Sequence, residues 1–258
     1  MSRLTVPGAD LDVTLTGNHG IPVVQLHGLS SSKGTDSLNL GRQVRGARLL
    51  RYDARGHGLS SGRPVAGDYR WENLADDLLR VLDHWFPGEQ VYGIGVSMGT
   101  ATLLRAALTD RERFCGLSLG APPTAWETRA AQVDGYRAGA DLIENRGIAP
   151  FLDAAQIAPR PPALADFGFT PPAVTAELFP SVLRGAALSD LPDPDDIAQI
   201  IVPTLVLPWS DDPAHPLSTA ETLTRVMPNA TMVVAHDPGE RDRWRQIISA
   251  AVDHAAAQ

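Results

Sequence analysis

The sequence is poor in cysteine and has no long apolar runs. A single cysteine, Cys115, stands among 258 residues, which excludes an intrachain disulfide and fits a reducing cytoplasm. No apolar run approaches the roughly 18 residues that a membrane span needs. Residues 1–7 lack the apolar core of a signal peptide and read as a first strand. We therefore expect a cytoplasmic protein that does not associate with membranes.

Positive charge is also in deficit. The chain has 22 lysines and arginines against 30 aspartates and glutamates, a formal net charge of −8. The basic residues are scattered, so the sequence excludes nucleic acid and anionic lipid as partners. It contains no metal-ligand cluster, phosphate-binding loop or cofactor fingerprint. The prediction is therefore an acidic protein that needs no metal or other cofactor.

Short apolar runs alternate with helical patterns along most of the chain. This alternation favours a mostly parallel sheet covered by helices. Strands are predicted at residues 11–16, 23–26, 48–52, 91–94, 116–119, 204–207 and 231–235. Helices are predicted at residues 71–85, directly after Ser97, at 218–226 and at 241–254.

The composition changes after Gly120. Residues 121–201 are rich in proline, alanine and arginine, contain no clear strand, and have possible helices at 130–146 and 173–183. Leucine, isoleucine and phenylalanine recur in this segment, which argues against a disordered linker. We expect a helical lid at 121–201, inserted into a core formed by residues 1–120 and 202–258.

The most informative motif is Gly95-Val96-Ser97-Met98-Gly99, which reads G-x-S-x-G. It lies between an apolar strand pattern and a good helix former, the setting of a nucleophile elbow. The flanking glycines let strand and helix approach closely around a strained turn that exposes the serine Oγ. We therefore predict that Ser97 is a catalytic nucleophile.

A serine nucleophile needs an oxyanion hole, a base and a group that orients the base. His27-Gly28-Leu29 follows a predicted strand, so the N–H groups of Leu29 and Met98 are candidate oxyanion donors. His27 itself is interpreted as structural. For the acid, Asp211 and Asp212 come just past the carboxyl end of strand 204–207, and spacing alone permits either.

These motifs resemble the α/β-hydrolase superfamily, in particular its capped esterases and enol-lactonases. The matching pieces are His27-Gly28, the segment Tyr52-Asp53-Ala54-Arg55-Gly56-His57-Gly58-Leu59-Ser60, the Ser97 elbow, and strand 204–207 leading to Asp212-Pro213. They occur in the family's order and cover the chain apart from the lid. The resemblance implies the α/β-hydrolase fold, favours Asp212 as the acid because that residue directly precedes the proline, and gives the 53–60 segment a structural role.

The sequence departs from the family around the histidine. Relatives usually carry a Gly-His pair a few residues after the last strand, and here Glu240 occupies that place, while His236 lies four positions earlier. His236 is the preferred base. His215 and His57 are weaker alternatives. An Asp–His contact within one loop is not expected to bring the His215 ring to Ser97, and His57 lies in the segment to which the resemblance gives a structural role. A site without a histidine base also stays open, with Glu240 in its place.

The sequence thus predicts a serine hydrolase of a small carboxylic ester or lactone, with Ser97, His236 and Asp212 as its triad. The alternative is a hydrolase-fold protein without a working triad. Such a protein binds a ligand or, with Glu240 facing a proton α to a carbonyl, catalyses isomerase or lyase chemistry.

Overall fold

A computed structural model describes residues 2–257 of the chain. Its eight-stranded sheet is mostly parallel and has the order β1-β2-β4-β3-β5-β6-β7-β8. The strands are β1 Ser2–Val6, β2 Ala9–Thr16, β3 Pro22–Leu26, β4 Arg48–Tyr52, β5 Val91–Val96, β6 Phe114–Gly120, β7 Thr204–Leu207 and β8 Ala230–Met232. Only the pairs β1–β2 and β2–β4 are antiparallel. The predicted fold class, an α/β-hydrolase fold with a mostly parallel sheet, is confirmed.

Helices cover both faces of this sheet. They are α1 Trp71–Trp85, α2 Met98–Thr109, α3 Arg129–Arg146, α4 Ala149–Ile157, α5 Phe179–Ala187, α6 Pro194–Ile197, α7 Leu217–Val226 and α8 Pro238–Ala255. One apolar cluster packs α1 and α2 against the sheet, and a second packs α8 against the other face. No helix in the described range 2–257 is both long and apolar enough to cross a membrane.

The inner strands β3 and β5 are buried along their whole length, as their mostly apolar sequences require. The buried amide of Gln25 in β3 is hydrogen-bonded to Asp36 and to the Gly41 N–H. Because the inner strands run parallel, their carboxyl ends meet at one edge, where the loops after β3, β5 and β7 lie close together. Ser97 follows β5, and Asp212 and His215 follow β7. The fold therefore brings together residues that are far apart in sequence.

The chain between β6 and β7 forms helices α3 to α6 and short 3₁₀ turns, with no strand among residues 121–201. These helices have an apolar core of their own, in which Phe179, Val182 and Leu183 of α5 pack against Ala140 and Ile143 of α3. Tyr69, from the segment before α1, completes this cluster and joins the inserted helices to the rest of the molecule.

Candidate active site

Ser97 occupies a strained turn between β5 and α2. Its φ of 53° and ψ of −111° lie in a region that residues with a side chain rarely adopt. The turn is fixed by the Ser97 N–H, which donates to the Gly120 carbonyl oxygen at 2.9 Å. Its tightness explains the glycines: a Cβ on Gly95 would lie 2.5 Å from the Gly99 oxygen, and one on Gly99 would lie 2.8 Å from the Leu26 Cβ.

The side chain that meets Ser97 is His215. Its Nε2 lies 2.9 Å from the Ser97 Oγ. Its Nδ1 lies 2.8 Å from Oδ2 of Asp212, which is three residues earlier in the chain. With the Nδ1 proton donated to the carboxylate, Nε2 is left with a lone pair that accepts the serine hydroxyl proton. Ser97, His215 and Asp212 therefore form a continuous chain of hydrogen bonds.

The loop after β7 turns back on itself to place both the acid and the histidine. Asp211 adopts a left-handed φ of 60°, which reverses the chain before Asp212. The Ala214 N–H then donates to Asp212 Oδ1 at 2.9 Å, and the His215 N–H donates to the Asp212 carbonyl oxygen at 3.1 Å. Pro216 follows as the N-cap of α7 and ends the turn. These local bonds fix the backbone of the turn and hold the Asp212 carboxylate against it.

Asp212 is set up to remain ionised. Burial alone would raise the pKa of its carboxyl, but hydrogen bonds and charge outweigh it and lower the pKa to about 2. The opposing groups are His215, the Trp209 indole N–H at 2.7 Å from Oδ2, and the Ala214 amide. A carboxylate held in this way keeps the Nδ1 proton on the imidazole. Asp211, by contrast, is exposed.

The two candidate oxyanion donors lie next to the serine. A Cβ on Gly28 would be only 3.5 Å from the Ser97 Cβ, so the loop that carries Leu29 packs against the elbow. Met98 is the first residue of α2, where a backbone N–H has no partner within the helix. Within the described part of the chain, neither the Leu29 N–H nor the Met98 N–H donates a hydrogen bond to another group.

The structure does not bring His236 to Ser97. This residue is exposed, and its backbone N–H donates to Glu240 Oε2 at 2.8 Å. Extended pairing continues past β8 to a bridge between Trp209 and Ala235, and α8 begins at Pro238. No loop is left between them that would carry the ring across to the serine. The preference for His236 over His215 is therefore corrected, as is the expectation that a one-loop Asp–His pair cannot reach Ser97.

Glu240 caps a helix and does not take the place of a histidine base. The side chain of Asp237, the N-cap of α8, accepts a hydrogen bond from the Glu240 N–H at 2.8 Å. The Glu240 carboxylate reaches back to the His236 N–H, so the pair satisfies two backbone donors at the start of the helix. Glu240 acts as a helix cap in this arrangement.

The other histidines near the elbow make loop contacts. His27 bridges the Gly28 carbonyl oxygen and the Ala54 N–H through its two ring nitrogens. His57 lies beside it, with the ring centroids 5.2 Å apart, and its Nδ1 contacts the Arg55 carbonyl oxygen. Arg55 in turn forms a buried double hydrogen bond with Asp77, both contacts at 2.7 Å. These residues fix the loops that support the site.

Trp209 was missed by the sequence reasoning although it contacts both members of the Asp–His pair. Besides its hydrogen bond to Asp212, its ring packs edge-on against the His215 imidazole at 5.5 Å between centroids. The available signal was a tryptophan three residues before the acid, at the end of an apolar strand. A buried indole N–H usually finds an acceptor, and the carboxylate is the nearest one offered by the loop.

Comparison with known proteins identifies a similar curated sequence and similar solved structures. A curated relative, 3-oxoadipate enol-lactonase 1 of Acinetobacter baylyi, is 27% identical over 236 residues, which cover 83% of this chain and 80% of the relative. Among solved structures, a hydrolase from Pseudomonas aeruginosa is 25% identical with a TM-score of 0.76, covering 100% of this chain and 98% of the other. A thermophilic esterase from Thermogutta terrifontis is 22% identical with a TM-score of 0.79, covering 99% and 100%, and shares the fold.

The family comparison spans most of the chain. The model of the alpha/beta hydrolase family matches residues 23–249, a range that contains the elbow, the Leu29 loop and the loop with Asp212 and His215. This chain belongs to the alpha/beta hydrolase family.

Proposed function

We propose that this protein is a serine hydrolase that cleaves a small carboxylic ester or lactone through an acyl-enzyme on Ser97. The observation that carries the proposal is the hydrogen-bonded series from Ser97 Oγ to His215 Nε2, at 2.9 Å, and from His215 Nδ1 to Asp212, at 2.8 Å. A nucleophile, a base and an orienting carboxylate at these distances are the parts that acyl transfer needs.

The reaction begins when Ser97 Oγ attacks the acyl carbon and its proton passes to His215 Nε2. The negative charge that develops on the carbonyl oxygen is stabilised by the N–H groups of Leu29 and Met98. The bond to the leaving oxygen then breaks, and His215 returns the proton to that oxygen. A water molecule, deprotonated by His215, attacks the acyl carbon, and Ser97 leaves with the proton. Asp212 keeps the imidazole oriented throughout.

The inserted segment 121–201 contacts the loop that carries the proposed oxyanion donor Leu29. The Ala173 N–H donates to the Ser30 carbonyl oxygen at 2.7 Å, and Ser30 directly follows the proposed oxyanion donor Leu29. We assign residues 121–201 as a lid that lies against this side of the site. One relative is named as an enol-lactonase and another as an esterase, which favours esters and lactones over other acyl compounds as substrates.

The single cysteine supports a cytoplasmic location.

The alternative without a working triad depended on the lack of a histidine at Ser97. His215 now stands at hydrogen-bond distance from the serine, and Glu240 is engaged at the start of α8. The hypothesis of isomerase or lyase chemistry therefore has no separate observation in its favour.

The test is turnover of p-nitrophenyl acetate and of simple lactones by the wild type and by Ser97→Ala. We expect Ser97→Ala to lower kcat by at least about a thousandfold, because the nucleophile is lost. Intact mass should show one acetyl group on Ser97 of the wild type during turnover. The control is Ser249→Ala on α8, whose hydroxyl donates to the Gln43 carbonyl oxygen and should leave kcat unchanged. Equal turnover by wild type and Ser97→Ala would refute the proposal.

A further inference from the structure

The acid and the base of the proposed triad share one short loop, which creates a geometric requirement. Asp212 and His215 are three residues apart, so their mutual hydrogen bond closes a ring within the loop. Such a bond fixes the distance between the two side chains but leaves the pair free to turn as a unit. Contacts from outside the loop must therefore set the direction in which the imidazole points.

Among the described residues, two contacts besides the one with Ser97 reach the 212–215 segment from outside it. The Thr124 N–H donates to the Ala214 carbonyl oxygen at 3.0 Å and holds the backbone. Trp209 acts on the side chains: its Nε1–H donates to Asp212 Oδ2 at 2.7 Å, the same oxygen that accepts the His215 Nδ1 proton at 2.8 Å. Its ring plane stands at 75° to the imidazole, with 5.5 Å between the centroids.

Trp209 is itself held rigidly by the core. Only 3% of its surface is exposed, and its backbone forms a parallel bridge with Ala235 beyond the end of β8. The Ser210 N–H donates to the Ala235 carbonyl oxygen at 3.1 Å, next to this bridge. The indole stacks on the fully buried Trp244 of α8, with an interplanar angle of 10° and 6.0 Å between centroids. The indole N–H thus has a fixed direction relative to the sheet.

We propose that Trp209 is a positioning residue of the catalytic triad. Its N–H fixes the carboxylate oxygen that orients His215, and the edge of its ring limits rotation of the imidazole, so that Nε2 faces Ser97. The proposal rests on the proposed hydrolase function.

The chain offers a matched pair of variants for the test. Trp209→Phe keeps an aromatic ring in the stack but removes the N–H that reaches Asp212. Trp244→Phe makes the same chemical change in the other ring of the stack, and the Trp244 N–H is buried without an acceptor among residues 2–257. Both variants lose a similar volume from the same cluster, so they differ chiefly in the hydrogen bond to the carboxylate.

Turnover of p-nitrophenyl acetate, the rate of fluorophosphonate labelling at Ser97, and thermal unfolding should be measured for the wild type and both variants. We expect Trp209→Phe to lower kcat and the labelling rate about tenfold to a hundredfold, the effect of losing a hydrogen bond to a buried charge. The KM should stay within about twofold, since no substrate contact is removed. Trp244→Phe should keep kcat within about threefold of the wild type, even where its unfolding temperature falls.

A spectroscopic measurement distinguishes a positioning role of Trp209 from a packing role. The proton shared between His215 Nδ1 and Asp212 should give a downfield proton NMR signal in the wild type and in Trp244→Phe. In Trp209→Phe that signal should move or broaden, because the carboxylate oxygen has lost its second donor.

The possible failures are distinguishable. A wild type that is labelled at Ser97, with Trp209→Phe equally fast, would overturn the role of Trp209 and leave the hydrolase function in place. Equal losses in Trp209→Phe and Trp244→Phe would reduce that role to packing and overturn it too. A folded wild type that is not labelled at all would overturn the proposed function, and the positioning role of Trp209 with it.

Discussion

At the scale of single residues, the glycines on either side of Ser97 hold its backbone in a tight turn. A Cβ on Gly95 would lie 2.5 Å from the Gly99 oxygen, and one on Gly99 would lie 2.8 Å from the Leu26 Cβ, so these glycines mark the turn in the sequence. The spacing of Asp212 and His215, by contrast, gives no sign that a contact within one loop can carry the imidazole ring to Ser97. The left-handed Asp211 and the bond from Ala214 to Asp212 turn the chain sharply enough to do so.

A second residue-scale feature is the pair of buried histidines beside the elbow. Burial lowers the pKa of His57 to about 3, and the adjacent His27 adds to the effect. The pKa of His27 is also lowered, again chiefly by burial. Both rings stay neutral in the folded protein. In the unfolded chain each ring takes up a proton near the ordinary histidine pKa of about 6.5. The folded state is therefore progressively disfavoured as the pH falls from about 6.5 toward 3.

This linkage gives a prediction for His57→Asn. The wild type should lose free energy of unfolding with falling pH, with His57 contributing up to about 1.4 kcal/mol per pH unit between pH 6 and 4. An asparagine at this place cannot take up a proton and can still donate to the Arg55 carbonyl oxygen, so the variant's profile should be flatter. Urea unfolding at several pH values measures both profiles.

The control for this experiment is His19→Asn, which changes an exposed histidine and should leave the slope unaltered. Parallel profiles for the wild type and His57→Asn would contradict the assignment of a buried, neutral ring to His57.

At the scale of elements, the strand–turn–helix unit around Ser97 depends on how closely β5, α2 and β3 approach. A Cβ on Gly99 would lie 2.8 Å from both the Cβ and the carbonyl oxygen of Leu26, which is backbone and cannot swing aside. Gly135 on α3 has nothing within 4 Å of the place where a Cβ would stand. The two glycines therefore respond in opposite ways to the same added methyl group.

We accordingly expect Gly99→Ala to lower the free energy of unfolding by about 1–3 kcal/mol, the usual effect of overpacking a core. It should also slow the labelling of Ser97, because α2 must shift and carries the Met98 N–H with it. Gly135→Ala, in a helix interior, should raise the free energy of unfolding by about 0.5–1 kcal/mol. Urea midpoints measure both, and a neutral Gly99→Ala would contradict the close packing described here.

The elements show which part of the fold the sequence could predict. Inner strands such as β3 and β5 are evident in the sequence because burial on both faces makes them mostly apolar. Helix α4 was missed because Pro150 interrupts the helical pattern, yet a proline in the first turn costs no hydrogen bond. The sequence pattern predicts a last strand that ends at residue 235, whereas β8 ends at Met232 and pairing continues beyond it only as a bridge at Ala235. Strand β8 is short and partly exposed, so its pattern carries little information about its end.

At the scale of the whole molecule, the inserted helices are joined to the core at several points. Arg241 of α8 is 2% exposed and donates to the Ala163 carbonyl oxygen at 2.9 Å and to Asp166 at 2.6 Å. It also lies over the Phe167 ring at 4.2 Å. On the other side, the Arg105 guanidinium of α2 donates to the Asp190 carbonyl oxygen at 2.7 Å. Contacts of this kind were beyond sequence reasoning, because they join segments about 75 or more residues apart.

The order of the motifs along the chain nevertheless predicts where they meet in the fold. A G-x-S-x-G motif between a strand and a helix, a Gly28 loop after an earlier strand and an acid after a later one imply a single sheet edge where all three meet. What the sequence could not supply was the direction of each loop, which depends on Asp211, Thr124 and Trp209 acting together. The sequence pattern thus predicts the fold, whereas the pairing of His215 with Ser97 depends on loop conformations that the pattern does not specify.

We propose that His215, and not His236, activates Ser97. The most direct measurement is the rate constant of fluorophosphonate labelling, with peptide mapping, for the wild type, His215→Ala and His236→Ala, each shown to be folded by circular dichroism. We predict a single label at Ser97, a loss of at least about a thousandfold in His215→Ala, and a rate within about twofold of the wild type in His236→Ala. A collapse in His236→Ala with unimpaired labelling of His215→Ala would contradict this account.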